Sequence, residues 1–431
     1  MRALALVDGE HYPNVVVDAI AALPYEVVGA VMLGGTEKLR GGAPDYGVPL
    51  WNTLADALVE ADVDIVADLS DEPVVDARRR FRLAAQTLAR GLPYVGADFR
   101  FDPVQFVSYA QPALAVIGTG KRVGKTAVSG HVARLLAGSR EVVVVAMGRG
   151  GPAEPVVVGT PPGVGELLAR SRAGEHAASD YLEDAALAGV TTVGARRCGG
   201  GLAGEPWISN VEEAAQVAAS LEPDLVLLEG SGAAIPPVEA GRRIVVAGAH
   251  QEPEAVTGYL GAYRLLVSDL VILTMCEPPL ATPGQIAAIR AAIADLDPDL
   301  PVIPAVLRPR PAEPVVNRRV AFFSTAPAQM HGRLQEHLES AHGAEVVLVS
   351  GNLADRPALL ADLESSAAEE AEVFLTEIKA AAVDVVAEVA ETRDISVVFA
   401  DNEVVPLPGE ADLDDAILAL ADAVAAERAP A

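Results

Sequence analysis

The residues that decide the fold run from Ala115 to Ser129, AVIGTGKRVGKTAVS. Ahead of them the apolar run ALAVIG (113–118) reads as a buried strand, and behind them a helical pattern continues from Lys125 to about Ala137. Strand, glycine-rich loop and helix in that order are what a phosphate-binding loop needs. The common pattern G-x-x-x-x-G-K-[ST] would place its first glycine at 119. Thr119 stands there instead, flanked by Gly118 and Gly120. The nucleotide-binding residues expected from this stretch are Gly118, Thr119, Gly120, Arg122, Val123, Gly124, Lys125, Thr126 and Ala127. Their backbone N–H groups and the helix N-terminus cradle phosphates, the Lys125 ammonium reaches the β- and γ-phosphates, and the Thr126 hydroxyl binds Mg²⁺. ATP and Mg²⁺ are therefore the expected cofactors.

Such a site needs an acid at the end of a second buried strand. DLVLLEGSG supplies it as Glu229, a carboxylate able to hold Mg²⁺ directly or through water. Lysine usage sharpens the assignment. Of 32 basic residues only those at 38, 121, 125 and 379 are lysines, so a retained lysine points to a site that requires a compact ammonium. Two of the four lie in the loop.

The chain has 431 residues, 51% of them hydrophobic, enough for two or three domains with proper cores. It shows no uncharged apolar run of membrane-spanning length and no signal peptide pattern, so a membrane is not an expected partner. Two cysteines, Cys198 and Cys276, form no disulfide framework and fit a reducing cytoplasm. A net charge of −28 argues against nucleic acid as a partner and demands a local positive patch for any anionic substrate.

The expected fold class is α/β: a central P-loop NTPase-type domain with a mostly parallel sheet, flanked by N-terminal and C-terminal α/β domains. The segments read as 1–111, a Rossmann-like unit; 112–312, the P-loop core; and 313–431, a C-terminal α/β unit. Strand-like runs end at Asp8 and Asp68 in the first, where these acids, with Glu10 and His11, are candidates for a second ligand site. LRPRPAEP (307–314) reads as a proline-rich linker.

The displaced glycine, G-T-x-x-x-V-G-K-T with a later E-G-x-G, is similar to the dethiobiotin synthetase branch of P-loop proteins. The signature lysine of the related partitioning and metal-insertion ATPases would fall at Gly120, with Lys121 one place off, which counts against that group. The wider pattern resembles the cyclic 2,3-diphosphoglycerate synthetases. It rests on LVDGEHYP near the start, MGRGGPAEP (147–155), HAASDYLEDA (176–185), RRCGGGLAG (196–204) and TEIKAAAVD (376–384). That resemblance implies ATP-dependent closure of 2,3-diphosphoglycerate into a ring through an intramolecular phosphoanhydride, with ADP and phosphate released.

The residues suit a polyphosphorylated substrate. Arg149, followed by Gly150 and Gly151, lies at the carboxyl end of the second core strand, on the crevice side of an open α/β sheet. Arg196 and Arg197 precede Gly199–Gly201 and repeat that chemistry, planar forks beside exposed N–H groups. The expected substrate contacts are Arg149, Gly150, Gly151, His176, Arg196, Arg197 and, from the resemblance and lysine scarcity, Lys379 at a domain or subunit interface. The expected catalytic groups are Lys121, Lys125, Arg149 and Glu229, and the expected metal ligands are Thr126 and Glu229. A homodimer is expected. Two rival readings are a dethiobiotin-synthetase-like ligase, which needs fewer cations, and a nucleotide-switched assembly ATPase.

Overall fold

The computed structural model describes residues 1–35, 37–39 and 44–428, so the last three residues of the expected C-terminal unit lie outside it. Alternating apolar strands and helices build two sheets. The first has the order Leu50–Trp51, Glu26–Met32, Arg2–Val7, Ile65–Asp68, Tyr94–Val95 and Arg100–Phe101. Its pairings are parallel except the last. At the carboxyl ends of its central strands, Asp8 and Asp68 are buried and internally satisfied. Asp8 accepts from the Glu10 and Asp71 amides and pairs with His11 Nδ1 at 2.9 Å; Asp68 accepts from Arg80 Nε at 2.9 Å and the Tyr94 hydroxyl at 2.6 Å. These contacts fasten the strand ends together.

The larger sheet has 13 strands and is continuous through the P-loop core and the C-terminal unit. Its core half runs Thr191–Cys198, Val142–Gly148, Leu225–Glu229, Ala113–Gly118, Arg242–Gly248, Leu270–Thr274 and Val302–Pro311, all parallel. Alternation along the central strand feeds both faces: Leu114 and Val116 join one apolar cluster, Ala113, Ala115 and Ile117 the other. The helix Lys125–Ala137 covers the first face, and the final helix Leu413–Arg428 returns to the same cluster through Leu413, Ile417, Ala421 and Val424. Among the described residues no helix is long and apolar enough to cross a membrane.

The expected linker is mostly strand. Leu307 to Pro311 continue the strand begun at Val302 and pair antiparallel with Ser396–Pro406, from Ala305 opposite Pro406 to Pro311 opposite Ala400. Pro309 and Pro311 sit two residues apart, so their missing donors fall on one side of the strand. The neighbour on the core side pairs only as far as Pro304, which leaves that side without a ladder to break. The C-terminal unit then adds Val373–Glu377, Arg319–Phe323 and Glu345–Ser350 in parallel order.

Candidate active site

The loop between Gly118 and Lys125 is held from neighbouring strands. Thr119 N donates to Val246 O at 2.9 Å, and Thr274 Oγ1 donates to Val123 O at 2.6 Å. Gly124 adopts φ +80° at the helix N-cap, and a Cβ there would stand 2.9 Å from Leu307. The displaced glycine now has a physical reason. A Cβ on Gly118 would lie 2.9 Å from the carbonyl oxygen of Gly232, whereas the Thr119 side chain has room beside Gln251 Oε1, 3.3 Å from its hydroxyl. The crowding sits one residue earlier than in the common pattern.

Lys125 is the first helical residue and is buried, and its ammonium is ion-paired with Glu229 at the end of Leu225–Glu229. Burial alone would lower the Lys125 pKa, but Glu229, with Asp180 and Asp184 nearby, outweighs it and raises the value. Three further acids come from the helix Asp180–Ala188, which lies over the P-loop helix. Burial raises Asp180 and, well above the ordinary range, Asp184, in both cases reinforced by the charge of Glu229. Glu183 is pushed up to about 7 by burial, against the opposing pull of Lys379. Lys379 Nζ stands 3.6 Å from Glu183 Oε1, which brings the C-terminal unit to the nucleotide side of the core. Glu229 and Asp184 face one another as a buried carboxyl pair, and beyond that contact Glu229 Oε2 and Asp184 Oδ2 have no hydrogen-bond donor among the described residues.

A second, cationic compartment adjoins this one. A cavity of about 500 Å³ is lined by Arg149, Arg197, Cys198, the Gly199–Gly201 turn and Ala233–Ala234. Arg197 donates through Nη1 to Gly199 O at 2.8 Å and through Nη2 to Ser231 O at 2.6 Å, and its buried Nε has no partner. Burial, then the charge of Arg149, lowers its pKa. Gly232, at φ +59°, joins the two compartments: a Cβ there would lie 3.0 Å from Arg149 Nη2, 3.6 Å from Arg197 Nη2 and 3.7 Å from Lys121 Cγ. Among the described residues none of Lys121, Arg122, Arg149, Arg196 or Arg197 forms an ion pair with Asp or Glu within 4.0 Å.

The expected residues are not all gathered equally. His176 packs its ring 3.5 Å from where a Gly150 Cβ would be, and Gly150 follows Arg149 in sequence, but neither His176 nor Gly150 lines the cavity. Gly151 is a glycine because a Cβ would overlap the Ala195 carbonyl; a backbone neighbour, not a ligand, explains its lack of a side chain. Arg196 and Arg197 are consecutive on one strand and point to opposite faces, so Arg196 is exposed and outside the cavity lining, with its amide bonded to Asn210 Oδ1 at 2.7 Å. Sequence reasoning assigned no role to Asp180, Glu183 or Asp184. The available signal was three acids at i, i+3 and i+4 on a helix without a basic residue, which normally describes a solvated face.

Fold and site define an α/β protein of the P-loop nucleotide-binding class. Three family models match successive parts of the chain: the N-terminal domain of cyclic 2,3-diphosphoglycerate synthetase at 2–102, its P-loop domain at 113–306 and its C-terminal domain at 311–403. The chain belongs to the cyclic 2,3-diphosphoglycerate synthetase family. Curated relatives of that name include proteins from Rubrobacter xylanophilus, 53% identical with 98% of each chain covered, and Methanothermus fervidus, 43% identical over 97% of this chain and 96% of that one. Among solved structures, LpxK from Aquifex aeolicus in complex with ATP is similar over 74% of this chain and 90% of its own, at 14% identity and a TM-score of 0.43.

Proposed function

We propose that the enzyme uses ATP to close 2,3-diphosphoglycerate into its cyclic phosphoanhydride. The observation that carries this reading is the cavity lined by guanidinium groups that form no ion pair among the described residues, set against the P-loop and joined to it at Gly232. The γ-phosphoryl passes to one substrate phosphate, forming a P–O–P bond and releasing ADP. An oxygen of the other substrate phosphate then attacks the inner phosphorus of that group, and the outer phosphate leaves as inorganic phosphate. Two anions approach one another in this step, which requires fixed geometry and positive charge already in place. Arg149 and Arg197 hold the acceptor phosphates, His176 and the Gly150 backbone add contacts at the rim, and Lys121 stands between acceptor and nucleotide.

On the nucleotide side, Lys125 leaves Glu229 for the β- and γ-phosphates. Mg²⁺ fits the residues present. Thr126 offers a hydroxyl at the helix N-terminus, and the Glu229 and Asp184 carboxyls face one another in a buried pair that a hard cation, with its preference for oxygen ligands, would relieve. Bound there, the ion would offset charge on the phosphates. Lys379, paired with Glu183, helps hold the C-terminal unit against this end. The reading further takes the enzyme to act as a homodimer in a reducing cytoplasm; both cysteines are free thiols, which supports the second point.

Phosphorus NMR of the purified chain with 2,3-diphosphoglycerate and Mg-ATP tests the reading. The expected result is ADP, inorganic phosphate and a cyclic pyrophosphate in equal amounts. ADP and phosphate with unchanged 2,3-diphosphoglycerate would overturn it in favour of simple hydrolysis or the ligase chemistry.

A further inference from the structure

Arg264 belongs to the short helix Gly261–Leu266 and is 4% exposed. Among the described residues it has no acidic partner. Its guanidinium donates only to backbone carbonyls: Nε to Ala233 at 2.7 Å, and Nη1 to Leu202 at 3.1 Å and to Leu260 at 2.9 Å. Burial lowers its pKa to about 10, so the charge is present at neutral pH. Two of those carbonyls belong to the two loops that wall the cationic cavity. Leu202 directly follows the Gly199–Gly201 turn, and Ala233 follows the Glu229–Gly232 turn.

Gly204 locks the same junction. It adopts φ +101°, its carbonyl accepts from Ile235 N at 2.8 Å, and a Cβ would stand 2.9 Å from Ala233 O and 3.1 Å from Arg264 Nη2. From the cavity side Arg197 spans the same two loops through Gly199 O and Ser231 O. Two arginines thus stitch one pair of loops, one of them lining the cavity and the other buried behind it.

Stability does not account for the buried one. A buried charge without a counter-ion is costly, and an apolar residue of similar volume is often neutral or better there. What a guanidinium offers is a planar fork with donors in fixed directions, able to span several carbonyls at once. We propose that Arg264 is a positioning residue for the phosphorylated acceptor, fixing the separation of the Leu202 and Ala233 loops and with it the placement of Arg197. This rests on the reading of the cavity as the acceptor site.

The test is steady-state kinetics of the full chain with R264M, R264K and R149A, varying 2,3-diphosphoglycerate and Mg-ATP separately. R264M is expected to raise the KM for 2,3-diphosphoglycerate at least tenfold and to leave the KM for ATP within twofold. R264K keeps the charge but cannot span the carbonyls, and is expected to stay within threefold of R264M. Acceptor KM values within twofold of the unaltered chain for both variants, or equal rises in both KM values, would overturn the inference. Should R264M fail to fold, R264K decides on the same two constants. R149A separates the layers of argument. If it leaves the acceptor KM unchanged, the acceptor site itself is misplaced and Arg264 falls with it; if it raises that KM while the Arg264 variants do not, only the Arg264 inference fails.

Discussion

The two compartments beside Gly232 treat their cations in opposite ways. In the nucleotide half Lys125 is buried against Glu229, with Asp180 and Asp184 close by, so its charge is already answered by protein. In the proposed acceptor half Arg149 and Arg197 form no ion pair among the described residues, and Arg197 donates to two carbonyl oxygens while its buried Nε has no partner. On a chain of net charge −28, guanidinium groups that form no ion pair, although Arg197 feels the charge of Asp180, give a local positive patch of the kind an anionic ligand needs. The difference teaches what each ligand must do on arrival. On the proposed reading a nucleotide competes with Glu229 for Lys125, whereas a phosphorylated acceptor meets guanidinium groups that no carboxylate among the described residues has to vacate.

Lys125→Met breaks the comparison hardest. It removes the ammonium and leaves Glu229 buried without its partner, so turnover in the folded protein should fall at least about a hundredfold, about 2.7 kcal/mol of barrier. Single-turnover ATP cleavage measures it, and near-normal rates would dissolve the nucleotide half. Arg149→Ala and Arg197→Ala sharpen the contrast. A charge-assisted hydrogen bond from guanidinium to phosphate is worth about 1.5–3 kcal/mol, so the acceptor KM should rise about tenfold or more while ATP binding, followed by calorimetry, stays put. Weakened ATP affinity with normal acceptor saturation would merge the two compartments into one. The smallest effect is expected from Gly232→Ala. Its left-handed backbone costs a side chain about 1–2 kcal/mol, and the new methyl presses on Arg149 Nη2. A lower melting temperature and an acceptor KM raised a fewfold are the expected readings; an unchanged acceptor KM would detach that glycine from the junction.

Much of this is legible in the sequence. The P-loop, its helix, the strand ending at Glu229 and most of the apolar strands announce themselves because a parallel core strand is a short unbroken apolar run. Thr191–Cys198, TTVGARRC, escapes because threonines open it and arginines close it, although it lies inside the sheet beside Val142–Gly148. The acids at 180, 183 and 184 escape for a related reason. A helix sequence does not say whether its acidic side meets water or a lysine, and only the packing of this helix over Lys125–Ala137 shows that Glu183 and Asp184 are buried. The separation of Arg196 from Arg197 follows from strand geometry alone. It stays hidden for as long as their strand is unrecognised.

The hydrogen-bonded seam between Val302–Pro311 and Ser396–Pro406 bears on how the molecule can move. A flexible tether would let the C-terminal unit swing free as a flap. A ladder resists bending in its plane, and this one lies against the nucleotide loop: Leu307 leaves no room for a side chain at Gly124, and Asp401 pairs with Arg134 on the helix behind it. The seam therefore ties the P-loop helix, through Arg134, to the strand that pairs with Val373–Glu377, just beyond which Lys379 lies.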